Sequence, residues 1–120
     1  SVGRWHLHGF AYFTIVTKES GLAGLCGIWF PGGWPEPELG WVVFENFEGK
    51  GIAYEAAQAV RSWAYSKLEF TTITSNIVPE NKRSITLAKR LNATFEKEYH
   101  NDNMGLCYMY RHPSPEDIKN

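Results

Sequence analysis

The sequence predicts an α/β (α+β) fold, one mixed and mostly antiparallel sheet flanked by helices in the order β-β-β-α-β-α-β-β. Three observations carry this. Aromatic and β-branched runs alternate with turn residues up to about Phe44. An apolar repeat at helical spacing begins just beyond Gly51. A second such repeat follows Asn81 and is bracketed by β-rich segments. With 120 residues, 43% hydrophobic and 15% aromatic, the chain can bury one core and is too short for two ordinary domains.

Phe10 to Thr17 reads as a strand that turns at Lys18-Glu19-Ser20-Gly21 into a second strand from Leu22 to Phe30, a β-hairpin. Pro31 to Pro37 carries three prolines and two glycines and suits neither strand nor helix. Glu38 to Phe44 is the third strand, with Gly40 marking a bulge or a close backbone approach. Beyond Gly51, residues Ile52, Ala56, Ala59, Val60, Trp63, Ala64 and Leu68 form an apolar stripe, with Glu55, Gln58, Arg61 and Lys67 on the other side. Phe70 to Thr74 is β-rich. Val78-Pro79-Glu80-Asn81 breaks the chain before a helix from about Lys82 to Leu91, which packs through Ile85, Leu87, Ala88 and Leu91. Thr94 to Tyr99 and Met104 to Tyr110 are the closing strands, joined by Asn101-Asp102-Asn103. The domain is expected over residues 1–111, and the polar tail, 112–120 with two prolines, is expected to be loosely held. No internal repeat is present.

Composition narrows the function. A net charge of -1 lacks the basic excess that neutralising nucleic-acid phosphates requires, so no nucleic-acid partner is expected. No apolar run is long enough to cross a bilayer and no basic stretch precedes a signal core, so the reading is a soluble, cytoplasmic protein without a membrane partner. Cys26 and Cys107 each lie in a hydrophobic run, which suits buried reduced thiols. His6 and His8 share a face if extended, but no Cys, Asp or Glu stands near them in sequence to complete a metal site, and no metal is expected.

The stretch from Trp41 through Val42, Val43 and Phe44 to Glu48, Gly49, Lys50, Gly51, Ile52 and Ala53 is a strand entering a helix through a glycine turn. Such a helix start exposes unpaired N–H groups and the positive end of the helix dipole, where an anion is stabilised. Glycines remove the Cβ that would hold a phosphate off the backbone. A purely structural turn explains the glycines equally well at this point. The sequence does exclude two phosphate motifs: Lys50 is followed by Gly51-Ile52 rather than Ser or Thr, and Tyr54 stands where a dinucleotide loop needs its third glycine.

Glu38-Leu39-Gly40-Trp41, Glu48-Gly49-Lys50-Gly51-Ile52-Ala53-Tyr54-Glu55-Ala56 and Pro79-Glu80-Asn81-Lys82-Arg83-Ser84 occur in one order and spacing. Together they resemble the GNAT superfamily of N-acetyltransferases, in the branch similar to bacterial ribosomal-protein (Rim-type) N-acetyltransferases, over about Phe10 to Tyr110. The resemblance implies a GNAT-like acyl-CoA acyltransferase fold and transfer of acetyl from acetyl-CoA to a primary amine or a protein N-terminus. It implies that the turn from Glu48 to Ala53 binds pyrophosphate, that Trp41, Val42, Val43 and Phe44 pair with pantetheine, and that Asn81 and Ser84 contact pantetheine or the sulfur. Lys89 or Arg90 would reach the adenosine phosphates, unless they belong to a solvated helix face. Trp29, Trp34 and Tyr108 either line an acceptor site or fill the core.

An alkylamine with a pKa of roughly 10 must lose a proton before it can attack. Glu38, at the start of the strand expected to hold the cofactor, is the candidate base, with Ser84 and Asn81 as further catalytic candidates. A backbone N–H near Trp41 to Val43 would serve the oxyanion, without a covalent intermediate through either cysteine. Three departures from the family pattern stand out. Ala88 occupies the position of a tyrosine that serves many relatives as acid, Glu48 places a negative charge in the phosphate turn, and a leading strand and two helices are not in the sequence. The last of these suggests either a fragment or a shortened form whose open sheet is covered by a second copy in a homodimer. The alternative reading is a catalytically inactive CoA-binding or protein-interaction module.

Overall fold

A computed structural model describes residues 9–17, 21–30, 36–44 and 51–119. The elements are β1 (Gly9–Thr17), β2 (Gly21–Phe30), β3 (Glu38–Val43), α1 (Ile52–Lys67), β4 (Thr74–Ile77), α2 (Lys82–Arg90), β5 (Thr94–Asn101), β6 (Gly105–Arg111) and α3 (Pro115–Lys119). The six strands form one sheet in the order β1-β2-β3-β4-β6-β5. Every neighbouring pair is antiparallel except β3 with β4, which meet in parallel at one position, Glu38 opposite Thr74. The expected mixed, mostly antiparallel sheet is therefore present.

The α1 stripe is as expected in outline, except that Ala59 is exposed and Ala57, not expected on it, is buried. Ala57, Val60 and Ala64 are buried against Cys26, Ile28 and Leu39 of the sheet, and Leu87 and Leu91 from α2 and its end join the same cluster. Burying that apolar surface is the main stabilising term of a domain this size. Helix α2 is closed at both ends. The Asn81 side chain accepts from the Ser84 N–H at 3.2 Å as an N-cap. At the other end Asn92 takes a left-handed φ of 66°, and Asn92 and Ala93 donate to the carbonyls of Lys89 and Ala88.

Four expectations need correction. The strand expected over Phe70 to Thr74 begins where that range ends. Phe70 instead packs edge-on against Phe30 at 5.5 Å, and pairing starts only where the Thr74 N–H reaches the Pro37 carbonyl. Gly40 makes no bulge: it sits in unbroken register with Gly27, and open space lies above it. The irregularities fall at Ile15/Val16 and Phe95/Lys97 instead.

Arg61, expected on the solvent side of α1, is only 5% exposed. Its Nη1 donates to the Leu91 carbonyl at 2.7 Å and to His112 Nδ1 at 3.0 Å, so the guanidinium ties the end of α2 to the chain beyond β6. The tail, expected to be loose from His112 onward, is docked at its start. His112 is buried at 3% exposure and its N–H bonds the Ile73 carbonyl, while Tyr65 donates to the Pro113 carbonyl. Residues 115–119 then form the short α3.

Because Arg61 can only donate, His112 Nδ1 is the acceptor of that pair and Nε2 carries the proton. Nε2 lies 2.8 Å from Ser75 Oγ, and Ser75 donates in turn to the Leu39 carbonyl at 2.7 Å. The bonds thus run in one direction, from Arg61 through His112 and Ser75 to β3. Burial, and then the Arg61 charge, depress the His112 pKa from 6.5 to about 3. The folded state therefore holds His112 neutral, whereas the unfolded chain takes up a proton as the pH falls below about 6.5. This contribution to stability is complete above that pH and is lost progressively toward pH 3. Urea denaturation across the window should show a loss of up to about 1.4 kcal/mol per pH unit from this group, with a shallower slope in His112→Asn.

Candidate functional site

Beyond Glu38 and Thr74, β3 and β4 part. In a continuous parallel ladder the next bond would run from the Asn76 N–H to the Leu39 carbonyl. Neither group makes it. The Asn76 N–H donates to Glu38 Oε2 at 3.3 Å, and the Leu39 carbonyl accepts from Ser75 Oγ at 2.7 Å. Two side chains thus satisfy both halves of the missing rung, so the strands can separate without leaving buried polar groups unpaired.

The separation leaves part of β3 open. The Phe44 N–H bonds the Ala23 carbonyl, which turns the even-numbered β3 residues toward β2, while the Pro37 carbonyl faces β4. By the alternation of a strand, the backbone groups of Trp41 and Val43 then point into the gap. A cleft of about 660 Å³ opens there, lined by Trp41, Val42 and Val43, by Gly51, Ile52, Ala53 and Tyr54 at the start of α1, and by the first turns of α2 with Arg90.

The α1 side of this cleft follows from one glycine. Gly51 caps the helix with φ at 75°, a left-handed value that a side chain disfavours, and it supplies no side-chain cap. The first N–H groups of α1 are left without a side-chain acceptor from the cap, at the positive end of the dipole. Glu55, the acidic residue of that turn, lines a separate cleft of about 600 Å³ between α1 and β1, so its charge stands on the other flank.

The α2 side supplies cations and a hydroxyl. Its first turn holds Lys82 and no acidic residue, contrary to what a helix dipole prefers, and Arg83 follows. The Arg90 guanidinium stacks 4.2 Å from the Tyr54 ring centre, joining the two helices across the rim. Trp41 Nε1 donates to Ser84 Oγ at 3.0 Å. An indole N–H only donates, so Ser84 is the acceptor of that bond and its own proton is directed elsewhere.

Trp41, Val42, Val43, Gly51, Ile52, Ala53, Asn81 and Ser84 all line this one cleft. Phe44 is described next to it in the chain, 40% exposed. Glu48, Gly49 and Lys50 lie outside the described residues, as do His6, His8 and Trp34. Glu38 is half-buried at the point where the strands part. Burial raises its pKa above the usual carboxylate value, and hydrogen bonds from the Asn76 side chain and backbone oppose that rise. Ala88 is fully buried beside Ile77 and Tyr110. Both thiols are buried and free, with burial pushing Cys26 to about 12, so neither is an activated nucleophile. Sequence reasoning missed Ser75, Asn76, Tyr99, Arg61 and His112, since their roles arise from contacts between residues far apart in the chain.

A sheet split at its middle, with two helix starts facing the split, defines the GNAT type of fold. A family profile described as Acetyltransferase (GNAT) domain matches residues 2–94, and the chain belongs to that family. The uncharacterized N-acetyltransferase p20 of Bacillus licheniformis is 34% identical over 90 residues, which are 72% of this chain and 48% of that protein. An acetyltransferase structure from Agrobacterium tumefaciens superposes with a TM-score of 0.76 at 34% identity, over 92% of this chain and 64% of that one. The ribosomal-protein-S5-alanine acetyltransferase of Vibrio fischeri gives a TM-score of 0.80 at 19% identity, covering 96% and 66%, a likeness of fold. The chain thus spans about half the length of p20 and about two thirds of the two solved relatives.

Gly51→Ala isolates the backbone contribution, because nothing lies within 4 Å of the added methyl. It should lower the unfolding free energy by about 1–2 kcal/mol through the left-handed φ alone, read from denaturant midpoints at unchanged m-value.

Proposed function

We propose that this domain transfers the acetyl group of acetyl-CoA to a primary amine by direct attack. The observation that carries the reading is the cleft itself, where open β3 backbone and the start of α1 converge on one space that cations from α2 also border. Diphosphate at the α1 start, with the turn from Glu48 to Ala53 around it, is the arrangement that the uncapped N–H groups and the helix dipole favour. Pantetheine then runs along β3 and takes ladder positions at Trp41 and Val43 that β4 has vacated. Asn81 and Ser84 meet its thioester end, and Arg90 is in reach of the adenosine phosphates.

In the chemical step, Glu38 takes the proton of the acceptor amine, directly or through water. The nitrogen lone pair attacks the thioester carbon, a β3 N–H stabilises the oxyanion, and the C–S bond breaks with its electron pair left on sulfur. The Ser84 hydroxyl, committed by Trp41 to donate elsewhere, serves the departing thiolate in place of the tyrosine that Ala88 replaces. The acceptor is a small amine or a protein N-terminus, and the setting is the cytoplasm. Association with a second copy is part of the proposal, because β1 is an edge of the sheet among the described residues and exposes Tyr12, Phe13 and Val16.

Calorimetric titration should give saturable binding of acetyl-CoA, and Gly51→Asp should abolish it by placing a carboxylate where the diphosphate sits. No binding by the wild-type chain would end the proposal. In thiol-release assays against a panel of amines, Glu38→Gln should keep cofactor affinity and lower turnover roughly 10²- to 10⁴-fold. Sedimentation velocity over a range of concentrations should show reversible dimerisation.

A further inference from the structure

Next to Glu38, on the far side of the strand gap, stands a group of side chains that the reaction as described does not use. Asn76 on β4 turns toward Glu38, donating to its carboxylate from both backbone and side chain. The same Asn76 accepts at Oδ1 from the Tyr99 hydroxyl of β5, at 2.8 Å. An amide side chain carries donor and acceptor on opposite arms, so the Tyr99 proton at Oδ1 fixes which arm faces Glu38. With Oδ1 held by Tyr99, the NH2 group is the arm presented to the carboxylate. A flipped amide would instead set an oxygen lone pair against a carboxylate oxygen, which is repulsive. Tyr99 can hold this role across the neutral range because burial raises its pKa and keeps the hydroxyl protonated.

From this arrangement we infer that Tyr99 is a positioning residue, which holds the Asn76 amide in the one orientation that donates to Glu38. The inference rests on the reading of Glu38 as the base. It gives the split sheet a second use: side chains from β4 and β5, reaching across the sheet, set the proton affinity of a carboxylate on β3. The titratable groups facing Glu38 are Tyr99 from β5 and Cys107 from β6. Opposite it in the ladders stand Trp29 of β2 and Thr74 of β4, and neither titrates.

The test is the pH dependence of kcat/KM for the amine, measured on the whole chain as wild type, Tyr99→Phe, Asn76→Leu and Glu38→Gln. Tyr99→Phe keeps the ring and removes only the hydroxyl. Its acid limb should move to higher pH by roughly half to one unit, with KM for acetyl-CoA unchanged, and Asn76→Leu should move it in the same direction. A purely structural role for Tyr99 would lower the rate at every pH and leave the limb in place, which would overturn the proposal. An independent readout follows the Glu38 side-chain carboxyl by carbon NMR in chain labelled at glutamate. The Glu38 resonance should titrate at higher pH in Tyr99→Phe than in wild type, and coincident titrations would again overturn the proposal. If Glu38→Gln retains the acid limb, Glu38 is not the base. That result rejects the reading of the reaction, whereas the carbon titration still decides whether Tyr99 governs Glu38.

Discussion

Two hydrogen bonds that cross one absent rung govern this structure. Where β3 and β4 should continue in parallel, the Asn76 N–H turns to the Glu38 carboxylate and the Leu39 carbonyl to the Ser75 hydroxyl. Opening a sheet at its centre would otherwise strand a donor and an acceptor in a region of low water access, at a cost of about 1–3 kcal/mol for each unsatisfied group. With both satisfied, the gap becomes a stable feature of the fold. The groups that support it reach far into the molecule, since Ser75 is oriented by His112 and His112 by Arg61, which also ties down the end of α2. One directed chain of bonds thereby couples the strand gap, both helices and the C-terminal segment.

Charge is distributed to match. The chain as a whole is close to neutral, yet the cleft is bordered by Lys82, Arg83 and Arg90 and by the start of α1, while Glu55 faces another way. A helix whose first turn carries a cation forgoes the favourable interaction its dipole would have with an acidic residue. That local expense is understandable if an anionic ligand completes the electrostatics, as the proposed cofactor would.

Much of this was legible in the sequence for identifiable reasons. The α1 stripe shows because its period is local, and the turn at Gly51 shows because only glycine takes a left-handed φ readily at a helix start. The break at Val78-Pro79-Glu80-Asn81 ahead of α2 is local in the same way. What stayed hidden depends on partners distant in the chain. Arg61 looks like a surface residue until Leu91 and His112, 30 and 51 positions away, supply its acceptors. His112 looks like part of a polar tail, and β4 looks as though it begins at Phe70, because β-propensity does not reveal where a pairing partner starts. Asn76 and Tyr99 carry no local signature, and only the sheet brings them to Glu38.

The proposed cofactor binding requires that the β3 backbone facing the gap, without a β4 partner among the described residues, stays open in the free protein and pairs with the ligand. Amide hydrogen exchange resolved by residue tests this directly. The Trp41 and Val43 amides should exchange rapidly in the free chain and slow markedly with saturating acetyl-CoA, while the Gly40 and Val42 amides, already bonded to β2, stay slow throughout. Trp41 and Val43 amides already protected without ligand, or unchanged when it is added, would contradict the account.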